Sequence, residues 1–189
     1  MISLKKLFKN VSLAVVLVAG SLFTANAQES NIPPIFTAIQ RNNVQQVESM
    51  LDSGTDPGSS DMLRNTALHQ AAFYGYEKII ELLVAKGADI NAVNEAGQTP
   101  LYSAIHADHV QAVEALLNHG ASLSTKYTDN RYTALHLAAL DGKYEVAEAL
   151  LKKGANTKAK DANGKKPIDY AKATKDKTFV KLFKDKRWK

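Results

Sequence analysis

In the stretch TPLYSAIHADHVQAVEALLNHGA, residues 99–121, the apolar positions fall into two short groups with a polar turn between them. Val113, Leu116 and Leu117 recur at spacings of three and four, the signature of one helix face. The earlier group opens with Thr99 and Pro100, a capping side chain followed by the residue best tolerated in a helix's first turn. The pattern predicts two short helices. Gly120 ends the second, because glycine readily takes the left-handed conformation found just past a helix end.

The same pattern returns along the chain. Pro34, Ala67, Pro100, Ala134 and Pro167 hold equivalent places with steps of 33, 33, 34 and 33 residues. Gly54, Gly87, Gly120 and Gly154 repeat with steps of 33, 33 and 34, so two unrelated markers agree on one extra residue between the third and fourth units. A period of this length, built on paired helices, predicts a stacked repeat architecture. In the first helices, Ala71, Ala72, Ala104, Ala138 and Ala139 allow close approach, and Gly75 and Gly142 permit the turn that follows. In the second helices, Met50, Leu83, Leu116, Leu150 and Phe183 are expected to stack into one apolar column.

The outer units depart from the pattern as caps would. The first opens PPIFTAI; in the last, Lys184 stands where Leu51, Val84, Leu117 and Leu151 stand elsewhere, and Lys181 replaces Glu48, Glu81, Glu114 and Glu148. An end repeat faces water on one side and is expected to be polar there.

Before the repeats, the chain begins MISLKKLFKNVSLAVVLVAGSLFTANAQES. Lys5, Lys6 and Lys9 precede an apolar run from Val11 to Phe23, and Ala25-Asn26-Ala27 forms an A-x-A site. That is the layout of an export signal, with cleavage expected after Ala27. The apolar run is short for a membrane anchor, which needs about 20 residues, so no membrane span is expected once the signal is removed. The chain has no cysteine, so packing alone must hold the fold.

The sequence therefore divides into a signal peptide, 1–27, and one repeat domain, 28–189, with units at about 31–61, 62–94, 95–128, 129–161 and 162–189. Charge is uneven across it. Residues 28–157 hold 9 basic and 15 acidic side chains, whereas 158–189 hold 12 basic and 4 acidic. Lysines interleaved with Asp161, Asp169, Asp176 and Asp185 read as a solvated end face, and export argues against nucleic acid as a partner.

The segments TALHQAAFYG (66–75), TPLYSAI (99–105) and TALHLAALDG (133–142), with the endings LLVAKGADINA, LLNHGAS and LLKKGANTK, resemble the ankyrin repeats. The resemblance covers about Ile32 to Phe183. It implies an all-α solenoid of helix-turn-helix units with β-hairpin fingers, about five repeats including degenerate caps. Gly97 and Gly164 keep the usual fingertip glycine, while Arg64 and Arg131 replace it, leaving the conformation of those two tips open. NEAGQ and DANGK read as type I turns at fingertips.

Candidate chemistry is sparse. His69 and His136 sit at the fourth position of the motif, where the resemblance implies a hydrogen-bonding strut between finger and helix. Phe36 and Tyr102 replace this histidine in other units, as a packing position tolerates. His106 and His109, with Asp108 between, offer a weak metal-ligand spacing, but the inter-helix bend is expected to part the two rings. No catalytic triad or phosphate-cradling loop occurs, so neither enzyme activity nor a cofactor is expected.

Surface remains. The positions that vary within the family, carried onto this chain, are Met62, Leu63, Asn65, Phe73 and Tyr74 in the second unit. Glu95, Ala96, Gln98, His106 and Ala107 follow in the third, then Asn130, Tyr132, Leu140 and Asp141 in the fourth, with Tyr127 and Arg131 on its longer finger. Phe73 and Tyr74 are the leading contact candidates, since aromatics dominate binding hot spots. The expectation is a monomeric, exported protein-binding module, periplasmic in a bacterium, serving stress defence or toxin neutralisation. The alternatives are a secreted effector that binds host proteins and a metal-binding protein using His106 and His109.

Overall fold

The computed structural model describes residues 32–188 apart from Thr128 and the side chain of Lys186. The export signal, including Ala25 and Ala27, lies outside the described residues. Ten α-helices follow in pairs: α1 Pro34–Gln40, α2 Val44–Asp52, α3 Ala67–Tyr74, α4 Glu77–Ala85, α5 Pro100–His106, α6 Val110–Asn118, α7 Ala134–Leu140, α8 Tyr144–Lys152, α9 Pro167–Ala173 and α10 Lys177–Lys184. A short 3-10 helix, Lys186–Trp188, completes the described chain. The first helices stack in the order α1, α3, α5, α7, α9, and α2, α4, α6 and α8 stack in a parallel row. The architecture is an all-α repeat solenoid.

Burial follows the repeat. Leu83, Leu116 and Leu150 have no exposed surface and Phe183 is buried; Met50, in the first repeat, is half-buried against the same core. The alanines of the first helices are equally enclosed, with Ala71, Ala72, Ala104, Ala138 and Ala139 at 0 % exposure. A methyl group is the largest side chain that fits where two short helices lie side by side. Thr99 caps α5, its hydroxyl accepting from the Tyr102 N–H, with Pro100 in the first turn as the sequence predicts.

Backbone strain is also periodic. Among the described residues, every positive φ falls at one of three repeat positions. One follows the second helix, at Gly54, Gly87, Gly120 and Gly154. Another is the turn between paired helices, at Asn42, Gly75, Asp108, Gly142 and Lys175. The third is the fingertip, where Arg64 (φ 59°) and Arg131 (φ 57°) adopt the conformation of Gly97 (φ 70°) and Gly164 (φ 75°). The two arginine tips thus keep the common turn. An L side chain is disfavoured there by contact of its Cβ with the following carbonyl. Arg64→Gly is therefore expected to stabilise the protein by about 0.5–1 kcal/mol, read as a raised urea midpoint at unchanged m-value.

Gly75 carries a second constraint. A Cβ there would stand 2.7 Å from Cγ and Nδ1 of His109, whose ring lies over this turn from the following repeat. Lys143 holds the equivalent place one repeat later. Its Nζ donates to the carbonyls of Ile105 (2.6 Å) and His106 (2.7 Å), satisfying the C-terminal end of α5.

Candidate protein-interaction surface

Three of the described fingers are tight turns held by the side chain of their first residue. Asp61 Oδ1 accepts from the Leu63 and Asn65 N–H groups, Asn94 Oδ1 from Ala96 and Gln98, and Asp161 Oδ1 from Asn163 and Lys165. Short polar side chains that bond two residues ahead favour such turns. The turns 94–97 and 161–164 close with bonds from Gly97 to Asn94 and from Gly164 to Asp161. Ladder pairing is minimal: among the described residues the fingers show single antiparallel bridges, Ser60 with Thr66 and Tyr127 with Tyr132.

Neighbouring fingers are joined. The Glu95 N–H donates to the Leu63 carbonyl at 3.0 Å and the Ala162 N–H to Asn130 at 2.8 Å. Asn94 Nδ2 donates to Asn65 Oδ1 at 2.8 Å and to Gln98 Oε1 at 3.3 Å. Asn65 and Gln98 are thus half-buried members of a polar ladder, and they act on the surface by fixing the fingers.

The histidines complete this frame. The Thr66 N–H donates to His69 Nδ1 (3.1 Å), and His69 Nε2 lies 2.9 Å from the Gln98 carbonyl. His136 repeats both bonds, accepting from Thr133 (3.2 Å) and reaching the Lys165 carbonyl (3.1 Å). With Nδ1 accepting, the hydrogen sits on Nε2 and the ring is neutral. Burial pushes both imidazoles below the usual histidine range, and the carbonyl bonds partly oppose it. Each ring ties one repeat's first helix to the next repeat's finger.

Tyr127 departs from its expected role as a contact residue. It has no exposed surface; its hydroxyl lies 2.9 Å from Thr99 Oγ1, and its ring packs on Tyr102. It occupies the place of Asn94, and the extra residue of this finger lies in the loop to Tyr132. The side chain therefore enters the core as a tyrosine where shorter residues stay at the turn. Burial raises its phenol above the usual range. Tyr127→Phe is expected to cost about 1 kcal/mol in a melting experiment while leaving partner affinity unchanged.

The remaining contact candidates reach the surface to different degrees. Met62 is 76 % exposed and Leu63 51 %, side by side on the second repeat's finger. Tyr74 is exposed at the end of α3; its ring meets Phe73 edge-on at 5.6 Å and stacks on Tyr76 at 5.4 Å, while Phe73 is half-buried. Glu95, Arg131, Leu140 and Asp141 are exposed, and His106 is exposed with its ring stacked on Tyr102. Tyr132 is half-buried between His136 and Tyr170.

Two features escaped the sequence. Tyr170 donates to Asp161 Oδ2 and contacts the Tyr132 hydroxyl, and the Asp161 bond raises its phenol well above the usual range. Burial works against the charge of Asp161, yet Tyr170 and the N–H groups of Lys165 and Asn163 hold its carboxyl below the usual range. The other is the Lys143 cap, whose partners lie 37 and 38 residues away. Among the described residues no three His, Cys, Asp or Glu side chains converge on a possible metal position. The His109 ring lies against Gly75, and the His106 ring stacks on Tyr102.

A family model described as ankyrin repeats (3 copies) matches residues 6–94, 35–127, 90–161 and 123–186. This chain belongs to the ankyrin-repeat family. It is similar to the B-cell lymphoma 3 protein homolog of Mus musculus, 32 % identical over 145 residues, which is 74 % of this chain and 32 % of that protein. It is also similar to the ankyrin repeat and KH domain-containing protein mask-1 of Caenorhabditis elegans, 33 % identical over 131 residues, 69 % of this chain and 5 % of that one. A third relative is the mitochondrial disaggregase of Bos taurus, 29 % identical over 141 residues, 72 % of this chain and 20 % of that one. The chain spans about a third or less of the length of these relatives. Ankyrin repeats are protein-interaction modules, typically without enzymatic activity, and this chain is built as one. Among the described residues no helix is long and apolar enough to cross a membrane.

Proposed function

We propose that this chain is an exported protein-binding module that takes its partner on the second repeat's finger and on the aromatics of the same repeat's α3. The exposure of Met62 and Leu63 carries the reading. Two large apolar side chains displayed together on a tip are unfavourable in water unless a partner covers them. The finger beneath them is already ordered by Asp61 and by the Glu95–Leu63 bond, so little entropy is lost when they are buried. Tyr74, exposed at the far end of α3 with its ring on Phe73 and Tyr76, gives the same repeat a second exposed apolar contact.

The test is a photo-crosslinking amino acid at Leu63, with one at Lys153 as control. A specific adduct is expected at Leu63 only. Met62→Asp with Leu63→Asp is expected to weaken the captured partner by about tenfold or more without lowering the melting temperature. Equal crosslinking at both positions, or undiminished affinity, would overturn the assignment.

The N-terminal order of lysines, apolar run and A-x-A site supports export. The partner is then a protein of the exported compartment: a secreted toxin that this chain neutralises, or a component of periplasmic defence against oxidative stress. Mass-spectrometric identification of the Leu63 adduct separates the two. Fractionation of cells expressing the tagged chain tests export, and a cytoplasmic, uncleaved product would refute it.

A further inference from the structure

We propose that the outer face of the fifth repeat is a cationic platform that docks on the phosphate headgroups of an anionic membrane leaflet. An open groove of about 380 Å³ is lined there by Lys172, Lys175, Asp176, Lys177, Val180, Lys181 and Lys184. In each earlier repeat the equivalent face lies against the following one. Val47, Ile80, Val113 and Ala147 are fully buried, and Val180 at the same position is only half-buried. Lys172 stands where Ala139 is enclosed, and Lys184 where Leu151 is.

A solvent-facing repeat needs polarity, and polarity alone does not explain this charge. Position 181 was already polar in every other repeat, as Glu48, Glu81, Glu114 and Glu148, and here the sign is inverted. Lys177 and Lys181, four apart on α10, repel each other along one helix face, as do Lys181 and Lys184 at a spacing of three. Glu148 with Lys152, four apart on α8, makes an ion pair instead. The carboxylates nearby offset only part of the patch, leaving an excess of lysine in its lining. Asp176 is engaged in accepting from the Thr178 and Phe179 N–H groups at the start of α10, and Asp169 pairs with Lys172. Among the described residues Lys175, Lys177, Lys181 and Lys184 form no ion pair.

The chemistry favours a membrane over a single acidic peptide. The lining holds lysine and no arginine. The planar fork of arginine suits a fixed carboxylate or phosphate, whereas lysines are flexible point charges, and a cluster of them suits a mobile array of anionic headgroups. The apolar side of α10 is occupied, with Phe179, Leu182 and Phe183 buried in the repeat core, so the helix rests on the leaflet and does not insert. Clustered lysines near an anionic leaflet each strengthen attachment about fivefold.

The experiment is co-sedimentation with phosphatidylcholine vesicles that contain or lack phosphatidylglycerol. It uses the full chain and the chain from Gln28 onward, which holds the whole compact unit Asn31–Lys189. Binding of the Gln28 chain is expected only with phosphatidylglycerol and is expected to fall as salt is raised. Lys177→Glu, Lys181→Glu and Lys184→Glu together are expected to reduce it by about a hundredfold or more. The same three positions changed to Gln give a smaller loss and guard against a folding defect. Reversal of the exposed Lys78, Lys126 and Lys153 matches the net charge change and is expected to leave most of the binding intact. Equal loss from both triple reversals, or equal binding of wild type and the first triple, overturns the proposal. Binding to poly-glutamate without binding to vesicles also overturns it and assigns the groove to an acidic protein.

Discussion

Leu116→Ala is expected to lower the unfolding free energy by about 2–5 kcal/mol, the upper part of the range applying if the cavity stays open. Leu116 has no exposed surface and sits in the middle of the column that runs through Leu83 and Leu150. Truncation removes its transfer free energy, and the short helices around it are held from both sides and cannot close the gap. Met50→Ala, at a half-buried position of the first repeat, is expected to cost clearly less. Urea unfolding followed by the single tryptophan, Trp188, and by circular dichroism measures both. Equal stability of Leu116→Ala and wild type would sink the stacked-column account.

His136→Ala is expected to cost about 2–4 kcal/mol, because it strands the Thr133 N–H and the Lys165 carbonyl in a region the ring had closed. The sign of the pH dependence is set by the same contacts. In the unfolded chain the ring titrates near 6.5; in the folded protein burial depresses it, and Nδ1 is occupied as an acceptor. Below pH 6.5 the unfolded state takes up a proton that the folded state resists, so stability is full above that pH and falls as the solution is acidified. His69 behaves alike, so wild type is expected to lose stability from pH 7 downward more steeply than a His69→Gln, His136→Gln variant. Parallel pH profiles for the two proteins would show that these rings do not govern the acid limb.

Much of this was legible in the residues. The period, the helix pairs, the Thr99–Pro100 start and the stacked column follow from local rules of capping and apolar spacing, which act within a few residues. The histidine strut was legible in type, since Phe36 and Tyr102 share its place, but its partners, the Gln98 and Lys165 carbonyls, belong to the following repeat. Arg64 and Arg131 were ambiguous because propensity disfavours their conformation, and the decision came from the turn bonds of Asp61 and from the finger-to-finger bonds. Tyr127 was misread for a related reason. An aromatic beside a fingertip reads as a contact residue until its hydroxyl is seen to pair with that of Thr99, 28 residues earlier.

The candidate surface divides in the same way. Its roll of variable positions came from the repeat register, but register does not rank exposure. Met62 and Leu63 outweigh Phe73 because the finger projects them into solvent while the ring of Phe73 is half-covered. The five lysines, spread over thirteen residues of sequence, read as a solvated end. Only the packing of α9 on α10 gathers them around one groove.

By itself, the sequence determined that this protein is a stack of paired helices about 33 residues in period, with its caps, core positions and family membership. Those properties rest on short-range periodicity and on burial, and both are written residue by residue. The tertiary structure alone decided which surface residues are free, which histidine faces which carbonyl, and where charge accumulates. Exposure and field strength depend on what neighbouring repeats cover, and that is a relation between residues some thirty positions apart.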